Sequence, residues 1–166
     1  MRPFFKALLA GLLSACTGAP LSSGLPETTV PIVSIPTGNL VIFYDTAFEF
    51  SRPPISARQI AVEGVAEYQQ TPMSVHIYGS TTLPQEGCVH IMNSSLLLCQ
   101  AAKYARLTKD PISFENAARH NVRLEGEVLT QGVNQGKIWL GAQIAAEIPS
   151  QGDIVLKQMN VKVAFF

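Results

Sequence analysis

The sequence predicts an α+β domain: a mixed or antiparallel sheet with two main helices packed on one face. Three observations predict it. Apolar residues make up 47% of the 166 residues and charged ones 14%, enough to fill one core. Several short runs of β-branched and aromatic residues alternate in polarity with period two. Two longer stretches instead space their apolar residues at three to four, the mark of an amphipathic helix.

In chain order, residues 39–45 (Asn-Leu-Val-Ile-Phe-Tyr-Asp) read as a buried strand. Residues 55–69 read as the first helix, with Ile55, Gln59, Val62 and Ala66 near one face. Gly64 within it costs about 1 kcal/mol against alanine. Residues 72–79 form a second strand, with Val75 and Ile77 on one side and Ser74, His76 and Tyr78 on the other. Residues 80–91 are loop. Asn93 or Ser94 caps a second helix over residues 93–107, whose core stripe is Leu97, Ala101, Tyr104 and Ala105. Residues 114–120 suggest a short helical turn. Residues 121–130 alternate as a strand, 131–136 (Gln-Gly-Val-Asn-Gln-Gly) form a turn, and 137–145 and 154–166 are the closing strands.

The first twenty residues carry a different signal. A cationic start (Met1-Arg2-Pro3-Phe4-Phe5-Lys6), an apolar run from Ala7 to Leu13 and then small residues follow the grammar of an export signal. The apolar run is too short to span a membrane, which takes about 20 residues. Leu13-Ser14-Ala15-Cys16 resembles the lipobox of bacterial lipoproteins at all four positions. The resemblance implies cleavage before Cys16, lipid on that cysteine and, because Thr17 and not aspartate follows, a place on the outer membrane facing the periplasm. Residues 1–15 are then the signal. Residues 16–38, with Pro20, Pro26, Pro31 and Pro36, are the lipidated start and an extended linker, and residues 39–166 are the domain.

Loss of Arg2 and Lys6 with the signal leaves acidic side chains in excess by two, which argues against a nucleic-acid partner. Cys88 and Cys99 remain as an even pair in an oxidising compartment, and a disulfide between them is expected; two free buried thiols are the alternative. Cys88 and His90 lack a second ligand pair, so no metal or other cofactor is expected. His-Glu-x-x-His, Gly-x-Ser-x-Gly and phosphate-loop patterns are missing, and His76, His90 and His120 are scattered. Glu125 and Glu127 are read as two positions on the solvent side of one strand, and Asp45 and Glu49 as solvent-side residues near a strand end. The chain is therefore expected not to be an enzyme.

Residues 40–107 resemble a divergent OmpA-type periplasmic domain, the module that binds peptidoglycan. The resemblance rests on Gly79-Ser80-Thr81-Thr82 at a strand end and on Asn93, Leu96 and Ala101 opening a helix. It implies a wall-binding site at Thr82, Asn93 and Gln100. The family has an aspartate and an arginine where Thr82 and Gln100 stand. Charge-assisted hydrogen bonds are roughly twice as strong as neutral ones, so peptidoglycan binding is expected to be weakened. The expected function is a structural subunit or tether of an envelope complex, such as a secretion or conjugation apparatus, with other envelope proteins as partners. A peptidoglycan-binding lipoprotein is the alternative, and an envelope ligand carrier or enzyme the third reading.

Overall fold

The computed structural model describes residues 27–32, 37–49, 51–53, 56–69, 73–92, 94–115, 118–145 and 152–164. The α+β expectation is corrected: the described residues form two antiparallel sheets and a single α-helix. The strands are β1 (Thr28–Ile32), β2 (Leu40–Tyr44), β3 (Phe48–Glu49), β4 (Gln59–Glu67), β5 (Ser74–Ser80), β6 (Cys88–His90), β7 (Leu96–Gln100), β8 (Ala105–Arg106), β9 (Ile112–Ser113), β10 (Arg119–Glu125), β11 (Lys137–Ala145) and β12 (Gly152–Ala164). The helix α1 is Glu127–Gln135. The smaller sheet runs β1-β12-β4-β10. The larger runs β6-β7-β2-β11-β5-β8, with β3 continuing beside β11 and β9 beside β5.

The main core lies between the sheets. Ile60, Val62 and Ala66 of β4, Val122 and Leu124 of β10, and Ile154, Leu156 and Val161 of β12 meet Ile42, Val75, Ile77, Ala142 and Ile144 of the larger sheet. The first expected helix is thus β4. Its faces differ: Ile60, Val62 and Ala66 are buried in the core, while Glu63 and Glu67 carry ion pairs outside. Gly64 is required there by β12. A Cβ on it would lie 2.8 Å from the Lys157 carbonyl oxygen, where the β12 register shifts and Gln158 adopts φ 51°. The extra residue of that bulge moves the inward face from Ile154 and Leu156 to Met159 and Val161.

The second expected helix is replaced by β7, one 3-10 turn (Ala101–Lys103) and β8. Pairing with β2 on one side and β6 on the other overrides the helix propensity of Leu96, Leu97 and Leu98. The real helix falls on the end of an expected strand and an expected turn. α1 ends on Gly136 in the left-handed region, whose N–H donates back to the Gly132 and Val133 carbonyls. It buries Leu129, and Asn134 and Thr130 bond the backbone of Ala57 and Ile60, so it closes the end of the sandwich where β4 begins. In the expected turn at 114–120 the described residues hold no helix; Arg119 and His120 already belong to β10. The other expected strands are present as β2, β5, β11 and β12.

Within the stretch read as linker, β1 pairs with β12 from Thr28 to Ile32. Thr37 is buried and exchanges hydrogen bonds with the Ile144 backbone, at 3.0 Å as donor and 2.8 Å as acceptor. Among the described residues no helix is long and apolar enough to cross a membrane.

Candidate interaction surface

The larger sheet carries a second apolar cluster on its outer face. Strand alternation puts Val41 and Phe43 of β2, Leu97 and Cys99 of β7 and Tyr78 of β5 there, all buried. Phe43 lies over Gly141 of β11, where a Cβ would stand 2.8 Å from the Phe43 ring. Tyr104 packs against Phe43 with ring centroids 4.8 Å apart. The β6–β7 edge of the sheet, with Tyr104 folded onto its outer face, therefore forms an ordered lobe rather than a loose loop.

Cys88 and Cys99 form a disulfide across this lobe. They stand directly opposite each other in β6 and β7, so the bond ties neighbouring strands instead of pinning a loop to a helix. The Tyr104 hydroxyl stands 3.0 Å from the Cys88 sulfur and donates to the Glu86 carbonyl oxygen at 3.0 Å. Burial pushes the Tyr104 phenol above its ordinary pKa, so it stays a donor. Lys103 Nζ bonds Glu86 Oε1 at 2.6 Å, which holds the Glu86 carboxyl below the ordinary range.

Beside the lobe a 350 Å³ cleft is lined by Ser80, Thr82, Pro84, Glu86, Lys103 and Tyr104, among others. Its polar groups are largely engaged with one another. Ser80 donates to the Thr82 carbonyl oxygen at 2.7 Å, and Lys103 and Tyr104 both bind Glu86. Apolar exposure also gathers here: Leu83 is 39% exposed, Val89 64% and Met92 90%. These are the large apolar side chains exposed among the described residues, and all fall between positions 83 and 92.

Two of the three expected wall-binding positions, Thr82 and Gln100, are among the described residues. Thr82 lines the cleft. Gln100 ends β7, with its side chain against Gly87. Asn93 and Cys16 lie outside the described residues. The histidines sit on three different strands. His76 Nδ1 is 3.2 Å from Thr108 Oγ1, His90 is exposed on β6, and His120 meets the Phe114 ring edge-on. Burial, with Arg106 nearby, lowers the His76 pKa, and Asp110 opposes it. Among the described residues no three His, Cys, Asp or Glu side chains gather as metal ligands.

Glu125 and Glu127 do not share a strand, which corrects that reading. Glu125 ends β10 and binds Arg123 at 2.7 Å, whereas Glu127 opens α1 and accepts from Gln131. Asp45 accepts the Trp139 indole N–H on its carbonyl at 3.1 Å, and Glu49 is exposed on β3. The exposed apolar set was the feature sequence reading missed. Val89 stood in the stretch read as loop and Met92 just past it, and only the β6–β7 pairing makes them a surface.

The sequence matches no protein-family model and no curated protein.

Proposed function

We propose that this chain is a lipid-anchored outer-membrane protein whose periplasmic β-sandwich serves, without catalysis, as a structural subunit or tether of an envelope complex. The observation that carries this reading is Leu13-Ser14-Ala15-Cys16 at the end of an export-type leader. The Cys88–Cys99 bond agrees with an oxidising compartment. The lobe supports a contact role: Lys103 and Tyr104 bind Glu86, while Leu83, Val89 and Met92 stand exposed. A secretion or conjugation apparatus remains the kind of assembly proposed.

Metabolic labelling with an alkyne-bearing palmitate tests the anchor. The chain is expected to take the label and to fractionate with outer membranes. Cys16→Ser is expected to lose both and keep the Cys88–Cys99 bond. A chain that stays unlabelled, or one labelled equally after Cys16→Ser, would overturn the reading. Cosedimentation with purified sacculi separates the tether from a wall binder: the tether stays in the supernatant.

A further inference from the structure

The open edge of the larger sheet is self-complementary. Gln100 N–H donates to the Gly87 carbonyl oxygen and Ile91 N–H to the Leu96 carbonyl oxygen, both at 3.0 Å. In an antiparallel ladder the residues between bonded positions turn their backbone groups the other way. Gly87, Val89 and Ile91 therefore address β7, while Cys88 and His90 address the open side. The Cys88 N–H folds back onto the Gln85 carbonyl oxygen at 3.3 Å. The edge then presents the Cys88 carbonyl and the His90 N–H and carbonyl. Among the described residues no strand pairs with it. Val89 sits between these two positions and Met92 just beyond, the two most exposed of the large apolar side chains.

A donor and an acceptor two residues apart, centred on an apolar side chain, match themselves under a twofold rotation. We propose that β6 pairs antiparallel with β6 of a second copy of this chain, centred on Val89. The His90 N–H of each copy donates to the Cys88 carbonyl of the other, and the two Val89 side chains meet on one face. The disulfide to β7 holds this edge in place before pairing, which lowers the ordering cost of association. A seam of three residues per copy is far smaller than the ~1,200–2,000 Å² of a stable interface, so pairing is weak in dilute solution. Confinement on one membrane raises the effective concentration. That gain rests on the lipid-anchor reading; the hydrogen-bond pattern does not.

The test is photocrosslinking of the full chain in living cells, with benzoylphenylalanine at position 89 and, separately, at 92. Each probe is expected to give an adduct of twice the chain mass that contains this chain alone. His90→Pro removes the edge donor and no β6–β7 bond, so it is expected to abolish the adduct while the Cys88–Cys99 bond still forms. Adducts only with other proteins, no adduct at either position, or an adduct indifferent to His90→Pro would overturn the proposal. Palmitate labelling reads the anchor separately. An unlabelled chain that gives the adduct keeps the pairing and loses the anchor; a labelled chain without it does the reverse.

Discussion

Gly141 and Gly64 are the positions where a single methyl group would be felt most. A Cβ at Gly141 would meet Val41 Cγ1 at 2.7 Å and the Phe43 ring at 2.8 Å, both in the buried outer cluster. Gly141→Ala is expected to destabilise the fold by about 1–3 kcal/mol, the usual cost of overpacking, measured as a lower urea midpoint at unchanged slope. Gly64→Ala would press on the Lys157 carbonyl, where backbone must move. His76 makes a pH prediction. Its pKa is lowered from the ordinary 6.5 chiefly by burial, so below that value the unfolded chain binds the proton more readily than the folded one. Its contribution is present above 6.5 and is lost as pH falls through the folded value. His76→Gln should flatten the decline of stability over that window, read by urea unfolding at a series of pH values. A Gln variant that still follows the wild-type decline would remove His76 from the explanation.

At the scale of elements, the β6–β7 hairpin and the β4–β10–β12 face hold by different means. The hairpin has a short ladder and one covalent tie. Cys88→Ser combined with Cys99→Ser is expected to cost roughly 2–4 kcal/mol, read by chemical denaturation, with the hairpin's amides losing hydrogen-exchange protection first. The outer face of the smaller sheet is a charge lattice: Glu63 binds Lys162 at 2.5 Å and Arg123 at 2.6 Å, and Glu67 binds Lys157 at 2.8 Å and Arg119 at 3.1 Å. Hydrogen bonds from Lys162 and Lys157 lead in holding these two carboxyls below 4.5. Their contribution is present above 4.5 and lost as pH falls through the folded values, so Glu63→Gln with Glu67→Gln should make unfolding less sensitive to acid in that range. The helix α1 escaped sequence reading because its interior holds Gly132 and Asn134, which favour turns. Gly136 was the available sign, since a glycine just past a nine-residue segment is what a left-handed cap needs.

Over the whole molecule, the place of β1 changes how an anchored domain would sit. Pairing begins at Thr28, so only residues 17–27 are left to span from Cys16 to the sheet. Fully extended, they reach at most about 40 Å, which keeps the sandwich close to any surface that holds Cys16. Deleting residues 17–27 is expected to leave the thermal midpoint of the domain unchanged. Extending the deletion through residue 32 strips β12 of its outer partner and should lower that midpoint, a contrast read by thermal circular dichroism. Equal midpoints for the two deletions would mean that β1 adds nothing to stability.

The sequence by itself marked the even pair Cys88 and Cys99 and the strands β2, β5, β11 and β12, and it alone carries the leader motif on which the proposed anchor rests. Each is a local pattern: a four-residue motif, a count, or alternation within one run. It could not separate strand from helix at β4 and β7. The outward face of β4 includes Ala61 and Val65 beside its glutamates, which blurs period two into an apparent helical face. The three leucines of β7 favour a helix until β2 and β6 supply hydrogen bonds from distant chain. The tertiary structure alone decided those pairings, and with them the exposure of Val89 and Met92 at an open edge. The physical reason is that a strand is completed by neighbours remote in sequence, whereas a helix closes its hydrogen bonds within itself.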